Sequence, residues 1–268
     1  VNTPPFPNAF ASKRSGLGAP KRYFPVKYLN RVGSLVAFFF LLSAAVMIFL
    51  DGLLVTYLAY QKHGPAVIGD SLVVPGILAF VLFLAGVAAG WWAFVNWGRG
   101  VVVYELGFAV HDRKGVQLWR WEEIVSLTQA VTRLYASENF TGMTHVYRLV
   151  NRQNQRLVLS DVYTKVEELA IIIQEAILPG LYEQAARQYN AGQRLVFGPV
   201  TIDKAGIQIG KKTYAWAEVR QVSIQRGILK VSKMEGGWFS GASAPVSVIP
   251  NLNVLLNIIH QVVGLKTG

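Results

Sequence analysis

Nineteen consecutive residues, Val32 to Leu50, carry no charge; after Asp51 the apolar character resumes to Tyr60, and a second uncharged run of 27 residues extends from Leu72 to Gly98. A helix needs about 20 apolar residues to cross a hydrocarbon core about 30 Å thick, so each run is long enough to span. The connecting "QKHGPAVIGDS" is too short for a domain. The pattern predicts a transmembrane hairpin over residues 32–98, with spans at about 33–60 and 72–98. The first run is too long for a signal peptide and lacks a small-residue cleavage site followed by a polar start. These two runs account for a hydrophobic content of 52% against 15% charged residues.

Charge predicts the orientation. Residues 1–31, an extended Pro-rich arm, carry Lys13, Arg14, Lys21, Arg22, Lys27 and Arg31 and no acid, whereas Lys62 and Asp70 cancel in the connecting loop. The positive-inside rule then places the arm, and everything after residue 99, in the cytoplasm of a two-span plasma (inner) membrane protein. Trp91, Trp92 and Trp97 fall at the inner end of the second span and Tyr57 and Tyr60 at the outer end of the first, as amphipathic rings prefer. Asp51 reads as an interfacial carboxylate, or as a hydrogen-bonded contact with a neighbouring subunit. The net charge of +11 is concentrated near the membrane, so anionic lipid head groups are the expected counterpart and nucleic acid is not. The chain contains no cysteine, which excludes disulfides and thiolate metal sites.

Beyond residue 99 the chain repeats itself. "GVQLWRWEEIVSL" (115–127) aligns with "GKKTYAWAEVRQV" (210–222): each Trp (Trp121, Trp216) stands six residues after a Gly and two before a Glu (Glu123, Glu218), which Ile124 or Val219 follows. Upstream, "YELGFAV" faces "DKAGIQI" with Gly107 and Gly206 in register, and only the intervening hairpin differs, by four residues. A repeat of this kind defines the folding unit. Period-two alternation predicts strands in "VVVYEL", "FAVHD", "VQLWRW", "VSLTQAV", "HVYRLV" and "RLVLS". A helix follows, with Val166, Leu169, Ala170, Ile173 and Ile177 on one face, Thr164 and Glu167 forming a capping box, and Pro179–Gly180 interrupting it. The second unit repeats the plan and ends in a helix that Asn251 caps, with Leu252, Leu255, Leu256, Ile259 and Val263 on one face.

Six or seven strands closed by a C-terminal helix, twice, resemble the pleckstrin-homology-like superfold. The resemblance rests on the Trp-x-Glu-[Ile/Val] step, on Gly107 and Gly206, and on the closing helices. "AGQRLVFGPVTIDKAGIQI", "WAEV" and "VIPNLNVLLNII" resemble an uncharacterised family of membrane-anchored tandem PH-like (bacterial PH-like) proteins over roughly residues 99–264. It implies an α+β fold in which two tandem β-barrels, each closed by a C-terminal helix, follow the hairpin. The first would be residues 99–192 with its connecting helix, the second residues 193–268. Trp121 and Trp216 are then expected to be mostly buried at barrel corners, with Glu123 and Glu218 receiving backbone N–H groups.

No catalytic constellation is legible. His63, His111, His145 and His260 are scattered without ligand spacing, "SGLGAPK" precedes no strand–turn–helix unit, and there is no Gly-x-Ser-x-Gly elbow; neither enzyme activity, metal nor cofactor is expected. Four groups are candidate partner- or lipid-binding residues. Arg113 with Lys114, and Lys211 with Lys212, occupy equivalent hairpin turns, which in PH-like domains can hold anionic head groups. Trp238 and Phe239 are adjacent large rings in the Gly/Ser loop "EGGWFSGAS", the composition of an interface anchor. Phe6 and Phe10 lie in the arm, whose composition buries too little apolar surface to order itself and so suits docking on a partner. The expectation is a non-catalytic membrane-anchored adaptor or accessory subunit bound to other subunits of a membrane complex; the alternative is an autonomous membrane-tethered lipid-binding or signalling sensor.

Overall fold

The structure is a computed structural model that describes residues 16–96, 98–112, 115–136, 139–234 and 241–263. It is α+β, with two apolar helices followed by two units built from antiparallel sheets and a helix.

Helix α1 (Tyr28–His63) and helix α2 (Ile68–Asn96) pack as a hairpin around Gly64 and a 3-10 turn, Pro65–Val67. Both are long and apolar enough to cross a membrane. Small residues let the two backbones approach. Ala45 and Thr56 of α1 and Ala79 and Ala93 of α2 are buried, and an added Cβ would lie 2.6 Å from Pro75 at Gly52 and 2.5 Å from the Phe38 ring at Gly90. The Thr56 hydroxyl donates to the Gly52 carbonyl at 2.7 Å, so this buried polar group is satisfied. The outer faces carry Phe40, Met47, Val74 and Phe94, each at least 70% exposed.

The hairpin interrupts a sheet. Strand β1 (Pro20–Pro25) pairs antiparallel with β2 (Gly100–Tyr104), which continues through β3 (Gly107–Asp112) to β4 (Gly115–Arg120). The register sets Pro25 across from Gly100 and Tyr23 across from Val102. Residues 20–26 therefore belong to the first unit, contrary to the expectation that the whole arm lies outside either core. Leu17, Phe24 and Val26 are at most 2% exposed. The reason is a short amphipathic strand flanked by prolines: as the sheet's outer strand, β1 tolerates Pro20 and Pro25, which a central strand would not.

After a 3-10 turn, Trp121–Glu123, a three-stranded sheet follows: β5 (Ile124–Ala136), β6 (Asn139–Asn151) and β7 (Arg156–Ser160). The second unit has the same order. A four-stranded sheet, β8 (Leu195–Phe197), β9 (Val200–Ile202), β10 (Gly206–Ile209) and β11 (Lys212–Ala215), leads through the turn Trp216–Glu218 to a three-stranded one, β12 (Val219–Gln225), β13 (Ile228–Lys233) and β14 (Ala242–Pro245). The two sheets of each unit stay separate, so no closed barrel forms. The 3-10 turn ends the ladder after β4 and β11 and carries the chain into a second layer.

The sequence repeat is a repeat of hydrogen bonds. Trp121 N–H donates to Leu106 O and Trp216 N–H to Ala205 O, both at 3.2 Å. Their indole Nε1 groups donate to Glu105 O at 2.9 Å and Asp203 O at 2.8 Å. These rings are half-buried rather than mostly buried; the enclosed aromatics are Trp119 and Tyr214, two positions earlier. It is the Glu123 and Glu218 carbonyls, not the carboxylates, that receive backbone N–H groups, from Arg152 and Met234.

Helix α3 (Val166–Asn190) runs unbroken through Pro179. Its Val166, Leu169, Ala170, Ile173 and Ile177 fill the first core while Ala185, with Leu178, Tyr182 and Tyr189, packs on the second. Packing against both cores holds the helix across the proline, contrary to the interruption expected at Pro179–Gly180. The expected capping box is absent: Lys165 precedes the helix in a left-handed conformation and the Thr164 hydroxyl donates to Pro25 O at 3.0 Å. Helix α4 (Leu252–Val263) buries Val254, Leu255, Ile258 and Ile259 in the second core.

Candidate functional site

Polar contacts cluster where the hairpin leaves the first unit. Beyond β1, Val26 bridges Tyr163, Lys27 N–H donates to Val162 O at 2.8 Å, and Thr164 N–H donates to Pro25 O at 2.8 Å. The segment entering α1 is thus laced to the turn between β7 and α3. Around this lacing, Asp161 faces Lys27 Nζ at 3.9 Å and His145 Nδ1 at 3.6 Å, and also accepts the His145 N–H at 2.5 Å. Glu167 reaches His145 Nδ1 at 3.2 Å without hydrogen-bond alignment, and the His145 ring stacks on Tyr147 at 6.5 Å. Arg22 of β1 pairs with Glu168 of α3. Partly exposed ion pairs are each worth about 1 kcal/mol or less, so the joint is held by their number and by the backbone lacing.

Burial, followed by the negative charges of Glu167 and Asp161, pushes the Tyr147 phenol above its ordinary value. Tyr163 is raised chiefly by burial, opposed by Arg99 and assisted by Asp112. Tyr189, in the second unit, is raised chiefly by burial as well. Neutral phenols suit a packed joint and offer no activated nucleophile. Among the described residues, no group of three His, Cys, Asp or Glu side chains is placed to hold a metal ion.

The same end of the sheet carries the β3–β4 connection, since Gly100 pairs with His111 and Asp112 with Gly115. Arg113 and Lys114 fall in that connection but lie outside the described residues, as do Trp238, Phe239, Phe6 and Phe10. Lys211 and Lys212 are exposed at the turn between β10 and β11. Lys212 Nζ donates to Gly241 O at 3.1 Å. The described part of the structure brings these two lysines together with none of the other candidates.

Sequence reasoning missed the joint between the units. Asn251, expected to cap α4, sits at φ 50° and turns its side chain to the first unit. Its Oδ1 accepts Leu127 N–H at 2.9 Å, its Nδ2 donates to Val125 O at 2.8 Å, and its own N–H donates to Leu127 O at 2.8 Å. It extends the edge of β5 like one residue of an added strand. Beside it, Leu127, Gln174, Ile177, Ile249 and Asn251 line a cleft of about 40 Å³ between the units, room for a water molecule and far below the several hundred Å³ of a metabolite pocket. The sequence offers only an Asn ahead of a helical run, which reads equally well as a cap.

The chain gives no match among the curated proteins. A family model, described as a family of unknown function (DUF6585), matches residues 7–266, which take in the hairpin and both units. The chain therefore belongs to this family of unknown function, DUF6585.

Proposed function

We propose that this protein is a non-catalytic, membrane-anchored adaptor or accessory subunit. Its hairpin crosses the plasma membrane twice and its two units, PH-like in plan, face the cytoplasm and hold partner proteins of a larger membrane assembly. One observation carries this reading: the α1–α2 hairpin is inserted between two paired strands, β1 and β2, of the first unit. An anchor joined by a flexible linker would leave the units free to search. An anchor whose two ends are neighbouring strands sets the unit's height above the bilayer. The α3 helix, packed in both cores, and the Asn251 contacts extend that rigidity to the second unit. The exposed apolar outer faces of α1 and α2, with Tyr28 and Trp91 exposed at one end and Tyr57 and Tyr60 at the other, are consistent with a bilayer-spanning pair and its aromatic belts.

A second reading, anionic head-group binding, is favoured by the β3–β4 connection, which holds Arg113 and Lys114 in sequence and joins strands at the end where the hairpin enters. Purification of the tagged full chain from its own membranes in mild detergent separates the two. Stoichiometric co-purifying proteins support the subunit; a solitary chain that binds phosphatidylglycerol vesicles supports the lipid reading. The orientation is tested in the naturally cysteine-free chain: a cysteine at Ala66 should react with an external impermeant reagent and one at Arg152 should not. The reverse pattern removes the cytoplasmic placement.

A further inference from the structure

The two sheets of the first unit do not join, and β4 is the outer strand of its sheet on that side. A cleft of about 310 Å³ lies there, lined by Gln117, Leu118 and Arg120 of β4, Glu123 of the 3-10 turn, and Gln153 and Gln155 between β6 and β7.

Register fixes which way the β4 backbone points. Trp121 N–H bonds Leu106 O, and the pairs Phe108 with Trp119 and Val110 with Gln117 continue that phase. In an antiparallel ladder such bonded pairs alternate with pairs whose N–H and C=O groups turn outward. Leu118 and Arg120 therefore direct theirs away from β3, the Arg120 carbonyl serving as the start of the 3-10 turn. Among the described residues nothing bonds the Leu118 N–H and C=O or the Arg120 N–H on this outer side.

The walls are held by the chain itself. Asn151, 3% exposed, accepts the N–H groups of Gln153 at 3.1 Å and Gln155 at 2.9 Å, and its Nδ2 donates to Gln155 Oε1 at 2.9 Å. Gln155 thus keeps its amide Nε2 as a donor. Gln117 Nε2 donates to Asp112 Oδ2 at 2.9 Å, and its Oε1 remains an acceptor. The second unit bridges the same gap with its own side chain. Lys212, which the repeat aligns with Gln117, donates to Gly241 O at 3.1 Å, and Gly241 precedes β14 as Gln155 precedes β7. In the first unit Gln117 turns to Asp112 instead, and the cleft stays open.

An open strand edge offers a second main chain its N–H and C=O groups, and flanking carboxamides can both donate to it and accept from it. Arg120 and Glu123 contribute one charge of each sign to the lining, so a charged segment would set its charge against one of them. We propose that this cleft takes an extended, uncharged polar segment of a partner protein as an added strand on β4. The proposal rests on the adaptor reading above, to which it adds a contact.

A display library of random heptapeptides is panned on the tagged full chain in mild detergent, with Leu118→Pro and Gln155→Glu as counter-targets. Proline at Leu118 removes only an outward N–H, which an edge strand tolerates; Gln155→Glu keeps the acceptor for Asn151 and replaces the donor. Enriched peptides should be uncharged and should favour the unmodified chain several-fold over both variants. In synthetic form they should slow hydrogen exchange several-fold at the Leu118 and Arg120 amides and leave Trp119, already bonded to β3, unchanged. Should Leu118→Pro lose its thermal transition, Gln155→Glu carries the comparison. No enrichment over the counter-targets overturns the proposal. Slow exchange of both amides in the free chain also overturns it, because its own residues or a second copy then fill the edge. A chain that co-purifies with other subunits yet enriches no peptide keeps the adaptor reading and loses this site, whereas a solitary chain that enriches peptides loses the adaptor reading alone.

Discussion

Pro25 lies directly across the sheet from Gly100, although both long apolar helices separate them in the chain. The hairpin is thus an insertion into a folded unit, and the strand before it is as much a part of that unit as the strand after it. This relationship makes residues 20–25 a structural part of the first unit. Removing residues 1–28 deletes β1 together with Leu17, Phe24 and Val26 and should unfold the first unit. The point variant Phe24→Ala should cost about 3–5 kcal/mol, as for other buried aromatics. Thermal unfolding of the detergent-solubilised chain checks both; an unchanged melt after loss of residues 1–28 would show that β1 is dispensable.

The two repeat glycines make a matched pair of tests. A Cβ added at Gly107 would sit 2.2 Å from Trp119 O, and one at Gly206 would sit 2.0 Å from Tyr214 O. Both obstacles are strand backbone, which cannot rotate away. Gly107→Ala and Gly206→Ala should each destabilise by about 1–3 kcal/mol, the usual cost of overpacking. Gly180→Ala, where nothing lies within 4 Å, should be neutral or slightly stabilising because alanine is the better helix former. Denaturant midpoints of the three variants decide the matter; equal midpoints would remove the close-approach explanation of the repeat.

Asn251 tests whether the two units behave as one body. Asn251→Gly keeps the positive φ and the backbone bond to Leu127 O but loses both side-chain bonds. Asn251→Ala loses those bonds and must also adopt a conformation alanine disfavours. Loss of the side-chain bonds should cost about 1–3 kcal/mol. The expected readout is faster proteolysis between β14 and α4 and a broadened distance distribution between spin labels on the two units. Ala should be worse than Gly. An unbroadened distribution in both variants would place the rigidity in α3 alone.

The parts of the fold that were legible in the sequence are those dictated by period. The two uncharged runs emerged as α1 and α2, and the buried face of α3 is the one its spacing marks, Val166, Leu169, Ala170, Ile173 and Ile177. The Trp-x-Glu step locates both 3-10 turns because indole and backbone bonds recur there. What was not legible depends on distant partners. "KRYFPV" has too few residues to show alternation among its prolines, and only pairing with β2 makes it a strand. Pro179 is tolerated because two cores grip α3, and Asn251 is read correctly only once β5 is beside it. The candidate site suffered most, for His145, Asp161, Glu167 and Lys27 come from four separate stretches of the chain.

The buried tyrosines of the first unit give stability a distinct alkaline limb. Tyr147 and Tyr163 both hold their protons more tightly in the folded state than a free phenol does, chiefly through burial. The folded chain therefore binds more protons than the unfolded chain above the ordinary phenol value of about 10. The linkage sign follows: their contribution is intact below about pH 10 and is lost as pH rises through the folded values. Lysines titrate in the same range, so the informative quantity is a difference between variants. Tyr147→Phe and Tyr163→Phe should each flatten the decline in denaturant midpoint above pH 10. Ultraviolet difference spectra recorded over the same pH range should show Tyr147, Tyr163 and Tyr189 ionising late. Curves that superimpose for all three proteins would remove the tyrosines as the source of the alkaline loss.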